Sequence, residues 1–71
     1  MPASDPAHID ARGMKCPWPA LRVARAMRTA DAVTIEADDP IAPGELEALA
    51  RQQGWSLTSD RPHFFALTRP V

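Results

Sequence analysis

The chain holds a single cysteine, Cys16, and the residues around it are the ones whose types and spacing offer chemistry. Arg12, Gly13 and Lys15 precede it, and Pro17, Trp18 and Pro19 follow it. Thiolate is the nucleophilic form of cysteine, and nearby positive charge and a helix N-terminus both favour it. A Cys-Pro-x-Pro run between two basic residues and a helix start is therefore expected to hold a reactive thiol with a pKa below the free value of about 8.5. Pro17 and Pro19 fix φ and cannot donate hydrogen bonds, which leaves the amides of Trp18 and Ala20 as first-turn donors. The competing reading is an inert cysteine that fills a core as a small hydrophobe.

One thiol cannot form an internal disulfide or a cysteine-built zinc or iron–sulfur site within one chain. The two histidines, His8 and His63, lie far apart in sequence. No metal site is expected. Nothing in the spacing of His63 recommends it as a general base for Cys16, and His8 reads as a surface residue at a strand start.

Charge is segregated along the chain. Residues 11–30 contain Arg12, Lys15, Arg22, Arg25 and Arg28 and no acidic residue, a local charge of +5. The other three of the eight basic residues share the rest of the chain with all nine acidic ones, giving −6 there and −1 in total. The positive stretch surrounds the cysteine and suits a docking or steering surface, although a solvated helix face has the same pattern.

These residues must be positioned by a small scaffold. With 71 residues and 45% hydrophobic content, much of it alanine, the chain is one domain with a thin core and no interior for a large cofactor. Residues 1–7 read as a flexible N-terminal tail and residues 8–71 as the folded domain. Residues 8–11 form a short strand, with Ile9 and Ala11 on one face. Residues 12–16 form a turn in which Gly13 supplies a positive φ. Residues 17–29 are the strongest helix: both prolines fall in its first turn, and Ala20, Val23, Ala24 and Met27 make its apolar stripe. Trp18, Arg22 and Arg25 lie together on its opposite side. An exposed tryptophan beside two arginines next to the thiol has the makeup of a binding surface.

Residues 32–37 alternate as a second strand, with Val33, Ile35 and Ala37 inward. Asp38-Asp39-Pro40 turns the chain into a second helix. Its start lies at Pro43 or nearer Asp39, its apolar stripe is Leu46, Leu49 and Ala50, and Gly54 stops it. Residues 55–59 and 64–69 are strands joined by a turn at 60–63. Trp55 and Phe65 read as core residues. The order β-α-β-α-β-β predicts an α/β (α+β) two-layer sandwich, with both helices on one face of a four-stranded mixed sheet. The first two strands are parallel and the last two form an antiparallel hairpin. Thr34, Glu36, Ser56 and Thr58 place the other face against water.

The run Asp10-Ala11-Arg12-Gly13-Met14-Lys15-Cys16-Pro17-Trp18-Pro19 resembles the signature of the TusA/SirA-like sulfur carrier family, whose core is Cys-Pro-x-Pro after a glycine-containing turn. Asp38-Asp39-Pro40 resembles the turn that family places before its second helix, and the element order matches over nearly the whole chain. Met14 stands where leucine is usual, Thr29-Ala30-Asp31 where a glycine is often found, and Gln52-Gln53-Gly54-Trp55 where Gly-His often ends the second helix. The resemblance implies a two-layer α/β sandwich and a carrier rather than a stand-alone enzyme. Cys16 would accept sulfane sulfur as a persulfide from a cysteine desulfurase or rhodanese-like donor and relay it to an acceptor protein. The sulfur would serve tRNA thiolation, cofactor supply or sulfur metabolism. Gly13, Arg12, Lys15, Pro17 and Pro19 would support the cysteine, and Trp18, Arg22 and Arg25 would meet partners.

No cofactor is implied. A free thiol, the lack of a signal-like N-terminus and the lack of an apolar run of about 18 residues lead to the expectation of a monomer in the cytoplasm with no membrane partner. The other open reading is a non-catalytic regulatory or RNA-binding module that uses the basic first helix. The few aromatics available for stacking and the slightly acidic net charge argue against direct nucleic-acid binding.

Overall fold

A computed structural model describes residues 7–70. The expected tail at residues 1–6 lies outside the described residues, and Ala7 opens the first strand instead of closing that tail. The elements run β1 (Ala7–Asp10), α1 (Trp18–Ala26), β2 (Ala32–Glu36), α2 (Ala42–Gln53), β3 (Ser56–Arg61) and β4 (Phe64–Thr68). Strand order is β1-β2-β4-β3. β1 and β2 are parallel, with Ile9 opposite Ile35, whereas β4 is antiparallel to both of its neighbours. The result is the two-layer mixed-sheet sandwich that the sequence pattern implies.

Alternation along β2 and β4 builds the core. Val33, Ile35, Phe65 and Leu67 point inward, and Val23 of α1, Met27 at its C-cap, and Leu46 and Ala50 of α2 cover them. Thr34, Glu36, Ala66 and Phe64 are half-buried on the opposite face, while Ser56 and Thr58 are exposed.

α1 ends sooner than its apolar stripe suggests. Regular helix stops at Ala26, and residues 27–29 continue as turns whose amides bond to Val23, Arg25 and Ala26 carbonyls. Arg69, from the far end of the chain, donates to the Met27 carbonyl and so supplies an acceptor-side cap. α2 starts at Ala42, between the two positions the sequence allowed. Asp39 Oδ1 accepts the Ile41 amide at 3.1 Å, and the Asp39 carbonyl accepts the Ala42 amide at 2.9 Å. Gly54 closes α2 at φ +76°, a left-handed conformation that costs glycine little, and the amides of Gly54 and Trp55 both converge on the Ala50 carbonyl.

The hairpin loop is tighter than expected. Only Pro62 and His63 separate β3 from β4, because β3 runs on through Asp60 and Arg61 with a register irregularity between Thr58 and Arg61. His63 takes a positive φ of 65° there.

Candidate functional site

Because α1 and α2 each follow a parallel strand, both helices begin at the same edge of the sandwich. The loop after β1 and the loop after β2 meet there. Glycine at 13 lets the first loop turn sharply, at φ +83°. Its amide donates to Asp38 Oδ1 at 2.9 Å, and the Cys16 amide donates to Asp39 Oδ2 at 2.6 Å. Asp39 thus joins the cysteine loop and the start of α2 with one carboxylate. Bonds to the Ile41 and Cys16 amides hold that carboxyl below its ordinary range.

Cys16 is free and half-buried in a cleft of about 570 Å³ lined by Gly13, Met14, Lys15, Asp38, Asp39, Pro40 and Ile41. The peptide between Cys16 and Pro17 is cis. Pro17 is the helix N-cap residue, and Pro19 is buried against the core, so the Cys-Pro-x-Pro run is anchored at its second proline. Three large apolar side chains stand exposed close by in the sequence of the two loops and helix starts: Trp18, Leu21 and Ile41. Nothing in the sequence sets Ile41 apart as an exposed side chain.

The electrostatics of the thiol reverse the sequence-based expectation. Its pKa is raised, first by loss of hydration, then by the charge and hydrogen bonding of Glu45, and further by Asp39. Arg12 does not offset this. It lies alongside Asp10, with Nε to Oδ1 at 2.9 Å and Nη2 to Oδ2 at 2.9 Å, and it also reaches Glu36 at 3.6 Å. That pairing lowers the Asp10 carboxyl to about 2. Lys15 is the one basic residue that lines the cleft, and its charge bears on Asp39. The Trp18 amide is also spent, on the Lys15 carbonyl at 2.9 Å. Loss of hydration, followed by acidic side chains at the second helix start, therefore sets the direction at the thiol, against the basic neighbours that the sequence places beside it.

The remaining candidates separate clearly. Trp18, Arg22 and Arg25 are exposed on α1, and Arg22 and Arg25 form no ion pair among the described residues. His63 faces the Ala37 carbonyl, with Nδ1 at 3.3 Å, and has no hydrogen bond to Cys16. His8 sits on the open sheet face, 2.7 Å from Thr34 Oγ1 and stacked on Phe64. Phe65 is core, and Trp55 packs against the core with Arg69 over its ring. No group of three or more His, Cys, Asp or Glu side chains among the described residues is arranged to hold a metal. No described helix is long and apolar enough to cross a membrane.

A mixed-sheet sandwich with a Cys-Pro-x-Pro thiol at the edge where both helices begin defines a narrow class. The family described as Sulfurtransferase TusA matches residues 7–64, from β1 to the start of β4, and the chain belongs to that family. Two curated proteins from Neisseria meningitidis, "Putative sulfur carrier protein NMA0882" of serogroup A and "Putative sulfur carrier protein NMB0681" of serogroup B, are each 45% identical to it over 49 residues. In both cases the match covers 65% of this chain and 66% of the relative.

Proposed function

We propose that the protein is a sulfur carrier that receives sulfane sulfur on Cys16 from a cysteine desulfurase or rhodanese-like donor and passes it to an acceptor protein. The observation that carries this reading is the placement of the only thiol, half-exposed in an open cleft and fixed through its own backbone amide by Asp39. Family membership and the names of the two Neisseria proteins support it.

In the loading step the Cys16 thiolate attacks the outer sulfur of the donor persulfide. A new S–S bond forms, the donor S–S bond breaks, and the donor departs as thiolate. In the discharge step an acceptor thiolate attacks the outer sulfur on Cys16, and Cys16 departs as thiolate. The raised pKa favours the thiol over the thiolate. It also makes the thiolate, once formed, a stronger nucleophile.

A carrier of this kind serves at least two partners at one site. The arginines of α1 speed encounter, and Trp18 offers a compact apolar anchor. Gly13, Lys15, Pro17 and Pro19 shape and hold the loop, while Arg12 acts on its far side through Asp10. The end use of the sulfur, whether tRNA thiolation, cofactor supply or sulfur metabolism, is set by the acceptor. The cytoplasm, where thiols stay reduced, is the compartment that suits a free Cys16.

Incubation with a cysteine desulfurase and cysteine tests the reading by intact mass. The wild type should gain one reductant-labile sulfur atom and Cys16→Ser none. Equal gain by the serine variant would refute it.

A further inference from the structure

A second concavity lies away from the thiol cleft. It measures about 400 Å³, and Ile9 of β1, Arg22, Arg25 and Ala26 of α1, and Thr29 line it. Positions 22, 25, 26 and 29 share one helix face, so the groove runs along α1 beside β1. β1 pairs only with β2 among the described residues and is therefore an edge of the sheet. The Ala11 amide bonds to the Glu36 carbonyl at 2.8 Å, which sets the phase of the ladder. Ile9 shares the β2-facing side with Ala11, so the amides and carbonyls of His8 and Asp10 point to the outer edge.

We propose that this groove receives an extended, acidic segment of the donor protein, added to β1 as a fifth strand. The inference rests on the carrier reading and names how one partner engages. Three features select that occupant. The outward main-chain groups of β1 are a template for strand addition. Arg22 and Arg25 form one wall with no ion-pair partner among the described residues, and no acidic residue occurs anywhere in residues 11–30. Alternate side chains of an added strand face the same way, so acidic residues at every second position would meet both arginines. Ile9 gives the groove an apolar floor that suits peptide better than a phosphate backbone. From Arg22 to Thr29 the lining covers about 10 Å, the length of roughly three extended residues. Since β1 leads straight into the cysteine loop, a segment laid along it is guided to the Cys16 cleft. The opposite edge, β3, lacks these features: its register is irregular, and it carries Asp60.

The test compares loading of Cys16 by a persulfidated cysteine desulfurase with loading by glutathione persulfide, which needs no docking. The full-length variants are His8→Pro, His8→Ala and Arg22→Glu/Arg25→Glu. Proline at position 8 removes the outward N–H but keeps the ladder to β2, and edge strands tolerate it. Both His8 variants lose the same side-chain contacts, so their difference isolates the backbone donor.

Desulfurase loading should slow about fivefold or more in His8→Pro and in the arginine variant, and stay within about twofold in His8→Ala. Glutathione persulfide should load all of them at the wild-type rate. In the wild-type complex the His8 and Asp10 amides should gain protection from hydrogen exchange, a readout that stands even if His8→Pro misfolds. Wild-type desulfurase loading of His8→Pro, or unprotected His8 and Asp10 amides, would overturn strand addition. So would binding of a single-stranded RNA oligonucleotide that the arginine variant abolishes, which would assign the groove to nucleic acid. Failure of the wild type with glutathione persulfide would instead count against the carrier reading itself.

Discussion

Trp18→Ala separates docking from folding. Trp18 is 59% exposed, so truncating it removes little native packing, and the stability change should stay within about 0.5 kcal/mol. The same exposure sets what a partner can gain. A tryptophan buries roughly 200 Å² when fully covered, and the 59% still open here corresponds to about 120 Å², or at most about 3 kcal/mol at 25 cal/mol per Å². Incomplete covering brings this to about 2 kcal/mol, the level of a binding hot spot, which is roughly 30-fold in affinity. Sulfur transfer from a desulfurase, measured as kcat/KM with the carrier as varied substrate, should fall by about that factor. Loading by a small persulfide should not change. A fall of less than about threefold with the protein donor would show that Trp18 lies outside the interface.

Other expectations concern stability and the thiol. Leu46 is fully buried between α2 and the sheet, and Leu46→Ala should cost about 3 kcal/mol, visible as a lowered urea midpoint and a melting temperature lower by about 12–24 °C. An alkylation-rate titration should place the Cys16 pKa above that of free cysteine, and Glu45→Gln should bring it down. Because that pKa is raised by folding, the associated stabilisation is complete below the free-cysteine value and is lost as pH rises through the folded one. The carboxyls of Asp10 and Asp39 are depressed. Their contribution is therefore complete above the unfolded value of about pH 4 and is lost as pH falls, to about 2 for Asp10. The urea midpoint of the wild type should drop across that interval, and Asp10→Asn/Asp39→Asn should flatten the drop.

Local pattern carried most of the architecture. Alternation at 32–37 names Val33, Ile35 and Ala37 as buried, and helical spacing names Val23 of α1 and Met27 at its end, while Ala20 of the same stripe is half-buried. Chain connectivity then gives the parallel and antiparallel pairs. What local pattern could not give was the neighbourhood of the thiol. The sequence displays Arg12 and Lys15 beside Cys16, but Asp10, two residues before Arg12, takes the guanidinium. Asp39 and Glu45 reach the thiol only because both helices begin at one edge of the sheet. The double aspartate before α2 was the available signal: it read as a turn, and its carboxylates prove to be acceptors for the amides of Gly13 and Cys16. Ile41 carried no local signal for a related reason: it sits at the N-cap of α2 on the rim of the cleft, a place set by how the two loops meet.

Peptide mapping over one full sulfur cycle follows the sulfur onto Cys16 and off it. Carrier loaded by a desulfurase is freed of donor, divided, and alkylated before or after exposure to an excess of acceptor thiol. Trypsin then releases the peptide of residues 16–22, which follows Lys15 and ends at Arg22. One extra sulfur is expected on this peptide after loading, confined to Cys16, and the unmodified alkylated thiol after discharge, with the sulfur recovered on the acceptor. Sulfur found on any other peptide, or sulfur on Cys16 that an acceptor thiol cannot remove, would contradict the carrier role of Cys16.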